Sequence, residues 1–370
     1  MTRVLIVCPY GTATGGSEQW LLGILEQGTL QRAGWDIDAI VLQQGPLLQR
    51  LRALGVTAIS YSMPASPAGI LSKAPGLRRA IRARAPDVIV GNGVKAQLAV
   101  ALAVPGQPSV WVKHDHSYDR SLARLLGHRA TLVVATAAQV GEPTGRPDVV
   151  VLEPPRPPPP IPKDEAVSVL RNHGWQPRLG LTLGMVTRLV PYKGVDLAIH
   201  ALADPRCEDW SLLVIGGDDP ASPGEGERLR VLARGLGVAD RVCLTGELPG
   251  GGRLLTAVDA VGVLTRPGET GAPSKEGYGI VASEGMLAGV PVVVSQPGPA
   301  ADRLATPDGP AGLTLASPTS EALAEALRRL QDPELRMAMG SRGRTAASGL
   351  PDEQDVAVLF AGLLAPFGGS

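Results

Sequence analysis

Apolar and polar positions along this chain fall into two alternating rhythms. Short, almost continuous apolar runs, such as residues 3–10, read as strands buried on both faces. Stretches with apolar positions three and four apart, such as 18–27, read as helices with one buried stripe. In the first half, strands are expected at 3–10, 34–42, 57–60, 87–91, 109–117 and 131–135, with helices at 18–27, 47–54 and 77–84. In the second half, strands are expected at 179–189, 210–217, 242–246, 261–265 and 290–294. Helices there are expected at 195–202, 227–236, 254–258, from about 280, at 321–330 and 333–347, with a last one near 352–364. Such alternation predicts parallel sheets covered by helices, an α/β architecture.

The rhythm breaks once. Glu153-Pro154-Pro155-Arg156-Pro157-Pro158-Pro159-Pro160-Ile161-Pro162 cannot continue a helix or a central strand, because proline fixes φ and has no N–H. It reads as a stiff spacer. A chain of 370 residues exceeds what one core usually organises. The expected domains are therefore 1–152 and 164–351, joined by 153–163. Two α/β domains so joined leave a cleft between their strand ends as the expected ligand site.

Composition narrows the function. Basic and acidic residues number 35 each and cancel, which argues against a nucleic-acid partner. No apolar run reaches membrane-spanning length, and the first residues form a strand rather than a signal peptide. Cys8, Cys207 and Cys243 are scattered without metal-ligand spacing. A reducing, cytoplasmic, bacterial protein is expected. Arg78, Arg79, Arg82 and Arg84 share one helix; a membrane-contacting face and a solvated face both fit them.

Candidate chemistry is densest at 276–294. Glu276-Gly277-Tyr278-Gly279 leads into a helix from Ile280 and Val281, with Glu284 about one turn inside. Glycines flank Tyr278, so the backbone there can approach a ligand closely. The free amides and positive end of the helix form an anion site, with phosphate the commonest guest. Ionised carboxylates accept hydrogen bonds, which suits the hydroxyls of a sugar or ribose. Arg188 and Lys193 stand on the loop leaving strand 179–189, where two cations suit a diphosphate. Gly216-Gly217-Asp218 ends the next strand in a glycine turn.

In the first half, Gly15-Gly16-Ser17 joins a strand to a helix without Walker or dinucleotide spacing, so a phosphate site and a plain connection both remain open. His114, Asp115 and His116 stand where a parallel strand ends. Asp36 and Asp38 form an Asp-x-Asp pair, readable as a metal holder or, more simply, as the polar face of a strand start.

Taken together, Arg188, Lys193 and Gly194, then Gly216-Gly217-Asp218, then Asp240-Arg241-Val242 with Gly246, then Glu276 to Glu284, resemble the retaining glycosyltransferases of family GT4, which have the GT-B fold of two facing Rossmann-like domains. The resemblance extends through the Gly15-Gly16 loop and His114-Asp115, and implies that the last helix, about 352–370, crosses back to the first domain. Its implied roles are Glu276 on the donor sugar, Glu284 on the ribose, and Arg188 and Lys193 on the diphosphate. The amides of Gly277, Tyr278, Gly279, Ile280 and Val281 would add donors, and Gly217, Arg241 and Val242 would lie near the nucleotide. Gly16 would approach phosphates or acceptor, and His114, or else His116, the reacting sugar. Three features depart from the family pattern: Thr187 before the arginine, a long loop at 266–275, and Tyr278 where phenylalanine is commoner. The implied activity is metal-independent, same-face transfer of a hexose-type sugar from a UDP or GDP sugar to an acceptor hydroxyl, on a secondary metabolite or a cell-surface glycan. A pseudo-glycosyltransferase, a sugar-nucleotide epimerase and a non-catalytic sugar-nucleotide binder are the alternatives.

Overall fold

The structure, a computed structural model, describes residues 2–13, 15–64, 66–219, 222–266 and 277–368. The chain divides into two compact units, Met1–Pro155 with Pro351–Ser370, and Arg156–Leu350.

The first unit holds strands β1 (Thr2–Cys8), β2 (Trp35–Val41), β3 (Thr57–Ser60), β4 (Val88–Asn92), β5 (Ser109–Lys113), β6 (Leu132–Ala135) and β7 (Val150–Val151). They form one parallel sheet in the order β3-β2-β1-β4-β5-β6-β7. Alternation along β1 sends Val4, Ile6 and Cys8 to one apolar layer and Leu5 and Val7 to the other. Both faces are thus buried, as a parallel sheet requires. The C-terminal helix Glu353–Leu364 belongs to this unit. An Asp352–Asp355 capping box starts it, and Val356, Ala357, Phe360 and Leu364 complete the layer under Val4 and Ile6.

The second unit holds β8 (Leu181–Val186), β9 (Trp210–Ile215), β10 (Val242–Leu244), β11 (Ala260–Val263), β12 (Val292–Val294), a small hairpin of β13 (Ala305–Thr306) and β14 (Gly309–Pro310), and β15 (Gly312–Thr314). The parallel sheet runs β10-β9-β8-β11-β12-β15. In each unit the order reverses beside the first strand, between β1 and β4 and between β8 and β11. Open α/β sheets bind ligands at the carboxyl ends of such a reversal.

Several expectations need correction. The stretch expected as a helix at 254–258 is a 3-10 segment, Gly251–Ala257, because two glycines open it. The helix expected at 77–84 runs Pro67–Arg82 and carries Pro75 inside. Helices Val94–Ala103 and Lys163–Asn172 were not foreseen. The first is apolar on nearly all sides and shows little 3.6-residue pattern. The proline run is not a free spacer beyond Pro155. Arg156 donates to the Ser348 carbonyl at 2.7 Å, Arg253 to Pro159 at 2.9 Å, and the Ile161 amide to Arg253 at 3.1 Å, so the run is strapped to the second unit. Asp36 and Asp38 sit near the amino end of β2 beside Arg3 at 3.9 Å and Arg84 at 3.7 Å, which accounts for the pair without a metal.

Candidate active site

In the second unit the turn after β8 and the helix after β11 share the sheet's point of reversal. Leu189 N–H donates to the Gly217 carbonyl at 2.9 Å, which fastens the turn onto the end of β9. Gly216 has to be glycine, because a Cβ would lie 1.7 Å from the Thr187 carbonyl oxygen. Arg188 then emerges with its side chain 65% exposed and one guanidinium nitrogen paired with buried Asp219. Its other terminal nitrogen donates to the Tyr192 hydroxyl at 3.3 Å. Lys193 Nζ lies 5.9 Å from the Tyr192 ring and donates to Thr265 Oγ1 at 3.3 Å, just beyond β11. Tyr192 thus touches both cations the sequence singled out.

Gly279 caps the helix Ile280–Ala288 in the left-handed region, φ 84°. A Cβ there would lie 2.6 Å from Ala300 Cβ, so conformation and space both demand glycine. The amides of Ala282 and Ser283 are spent on the Gly279 carbonyl, at 2.9 and 3.2 Å. Those of Ile280 and Val281 have no acceptor among the described residues, leaving two donors at the positive end of the helix. Glu284, one turn in, lays its carboxylate over Gly252, where a Cβ would come within 2.0 Å of it. Burial pushes its carboxyl up to about 7. Tyr278 is buried, with Arg303 stacked on its ring. Glu276 and the long loop 267–276 lie outside the described residues. No group of three or more His, Cys, Asp or Glu among the described residues is arranged to hold a metal.

Two expected site residues are placed elsewhere. Arg241 donates to the carbonyls of Leu202 at 2.6 Å, Cys207 at 2.7 Å and Trp210 at 3.1 Å, tying down the amino end of β9. Val242 is the first residue of β10. Both are therefore at the wrong end of the strands to line a site at their carboxyl ends. The carboxyl end of β10 brings up Gly246, whose carbonyl accepts from Gly216 at 2.8 Å, and Glu247, whose Cβ would lie 3.6 Å from a Cβ on Gly217. Strand direction alone would have selected Gly246 and Glu247. Thr265 and Ser295 were also missed; Ser295 Oγ holds the Thr265 carbonyl at 2.6 Å and so fixes the partner of Lys193.

In the first unit Gly16 opens the helix Gly16–Glu26. Its amino end is already filled by a side chain of its own: Glu18, 2% exposed, folds back so that its Oε2 would lie 2.2 Å from a Cβ on Gly15. Ser17 Oγ donates to that oxygen at 2.9 Å, and burial holds the carboxyl above its ordinary range. His114 follows β5. Its Nε2 lies 2.7 Å from Asn92 Oδ1, which only accepts, so Nε2 carries the proton. The ring stands edge-on to Trp20 at 5.3 Å, and Trp20 packs likewise on Phe360. Burial lowers the imidazole to about 4, so His114 is neutral at pH 7. His116 Nδ1 lies 2.8 Å from Asp119, which holds the fully buried Lys113 at 2.6 Å. His116 is thus committed to a buried charge cluster, and His114 is the histidine left in an apolar setting.

Known proteins resemble this chain in sequence and in fold. The family model "Glycosyl transferases group 1" matches residues 180–346, and "Glycosyl transferase 4-like domain" matches 27–146. A D-inositol 3-phosphate glycosyltransferase of Acidothermus cellulolyticus is 35% identical over 170 residues, 43% of this chain and 36% of that protein. A GDP-mannose-dependent alpha-(1-6)-phosphatidylinositol monomannoside mannosyltransferase of Mycobacterium tuberculosis is 36% identical over 170 residues, 44% of this chain and 42% of that protein. The matches thus span less than half of these relatives. Among solved structures, Anabaena Alr3699/HepE in complex with UDP and glucose superposes with a TM-score of 0.80 at 21% identity, over 99% of this chain and 100% of that one. The sheet order and both family matches point the same way: the chain has the GT-B fold and is similar to the GT4 glycosyltransferases over both of its units.

Proposed function

We propose that the chain transfers a hexose-type sugar from a UDP or GDP sugar to an acceptor hydroxyl, with retention and without a metal. One observation carries this reading. Two unspent helix amides and two cations, Arg188 and Lys193, gather at the reversal point of the second sheet, with a carboxylate one helical turn further in. That set suits a diphosphate joined to a ribose. The diphosphate sits at the helix end and the turn, and Glu284 accepts from the ribose hydroxyls. The base lies by Gly217, Gly246 and Glu247. Glu276, next to Gly277 in sequence, contacts the sugar. We assign the acceptor side to the first unit, with neutral His114 as a polar contact rather than an acid.

The acceptor oxygen bonds to the anomeric carbon as the bond from that carbon to the phosphate oxygen breaks, on the same face. The acceptor proton passes to the departing phosphate. Charge grows on the diphosphate in the transition state, so Arg188, Lys193 and the helix end bind it more tightly there than in the ground state. We place this chemistry in the cytoplasm, on a secondary metabolite or a cell-surface glycan.

A screen of nucleotide sugars for released nucleoside diphosphate, with and without acceptors, tests the reading, and NMR of the product reads the anomeric configuration. Transfer with retention is expected, and Lys193→Ala should cut turnover about 100-fold in a folded protein. Wild-type turnover in that variant refutes the role. Epimerised donor without transfer refutes the reaction.

A further inference from the structure

The loop ahead of the helix Ile280–Ala288 is held by a residue to which the proposed chemistry gives no task. Arg303 directly follows the short helix Pro299–Asp302. Its guanidinium carbon lies 3.4 Å from the centroid of the Tyr278 ring, and its Nε donates to the Tyr278 carbonyl at 3.3 Å. The ring is 5% exposed, so it serves as a plate under the cation rather than as a surface for a ligand. We infer that Arg303 is a positioning residue for the nucleotide-sugar site, acting through Tyr278 on the amides that open the helix. The inference rests on the donor reading above.

The physical path is short. Tyr278 C=O and Gly279 N–H belong to one planar trans peptide, so a bond that fixes the carbonyl also fixes the direction of that amide and of the chain entering Ile280. Glycine gives this segment an unusual choice of conformations, and any left open has to be lost when a ligand binds. The segment carrying Arg303 closes that choice in two places. Ala300 fills the space beside Gly279, leaving a clearance of 2.6 Å to a Cβ, and Arg303 pins the neighbouring residue by ring and carbonyl together. A planar guanidinium can do both at once. An ammonium keeps the charge over the ring but cannot stack or donate from a fixed fork.

The test uses the full chain with Arg303→Ala, Arg303→Lys, Tyr278→Ala and the Arg303→Ala/Tyr278→Ala pair. UDP and GDP are each titrated by calorimetry. Donor KM and kcat are measured with the nucleotide sugar that wild type accepts, and thermal unfolding is followed in parallel. Arg303→Ala is expected to weaken the nucleotide that wild type binds about tenfold and to raise donor KM by a like factor, with kcat within about threefold. Arg303→Lys should recover part of that loss. The double variant should be no worse than the poorer single one, because both changes break one contact. A purely structural role would lower the melting temperature and the active fraction while leaving the dissociation constant of the folded fraction unchanged, and that result overturns the inference. So do losses that multiply in the double variant. If wild type binds neither UDP nor GDP, the donor reading itself fails, and this inference with it.

Discussion

Replacing Glu284 by glutamine probes the site where its electrostatics are most distorted. Its carboxyl is raised from an ordinary 4.5 to about 7 with burial as the cause, a difference worth roughly 3 kcal/mol. Because the folded value is the higher one, the folded chain binds more protons than the unfolded chain between pH 4.5 and 7. This group therefore favours the folded state most on the acid side of that window. The advantage is lost as pH rises, and levels off above about 7. In Glu284→Gln the cost of the buried charge disappears, so the ligand-free variant should gain up to about 3 kcal/mol at pH 8 and little at pH 5. Binding should move the other way. If the ionised carboxylate accepts from ribose hydroxyls, nucleotide-sugar affinity in wild type falls about tenfold per pH unit below 7. The variant should lose that dependence and bind about 10- to 100-fold more weakly at pH 8, the scale of a hydrogen bond to a charged group. Guanidinium unfolding and calorimetric titration from pH 5.5 to 8.5 measure both effects on the same samples. Identical stability–pH slopes in the two proteins, or wild-type affinity in the variant at pH 8, would refute the placement of Glu284.

Three further outcomes follow from the structure. Gly279→Ala should destabilise the second unit by about 2–4 kcal/mol in chemical unfolding, since it adds left-handed strain to a clash with Ala300. His114 should show no titration between pH 5 and 8 by NMR, its midpoint lying near 4, whereas a midpoint near 6.5 contradicts its burial against Trp20. Phe360→Ala should cost about 3–5 kcal/mol in the unfolding of the first unit, because Phe360 is wholly buried under Trp20.

The sequence made the α/β architecture legible because β1, β8, β9 and β11 are apolar runs edged by glycine or polar turns, a pattern few other structures share. It also singled out Arg188 and Lys193, on a loop leaving a strand, and Glu284, one turn inside a helix entered through glycines, as candidates whose roles are proposed above. The family resemblance misled at Arg241, which it set near the nucleotide. Parallel strands have two chemically different ends, and Arg241 stands at the amino end of β10, where it serves carbonyls away from the site. Glu18 escaped notice because a glutamate in the first turn of a helix is ordinary, and its fold back over Gly15 is set by backbone geometry. Arg303 escaped for a different reason. It lies 25 residues from Tyr278, and no local pattern couples an arginine to a ring so far along the chain.

The decisive measurement is a co-structure with the nucleoside diphosphate. The diphosphate is expected at the amides of Ile280 and Val281, within reach of Arg188 and Lys193, with the ribose hydroxyls on Glu284 and the base beside Gly246 and Glu247. A nucleotide bound with its base on Arg241, or with its diphosphate away from the Ile280 end of the helix, would contradict it.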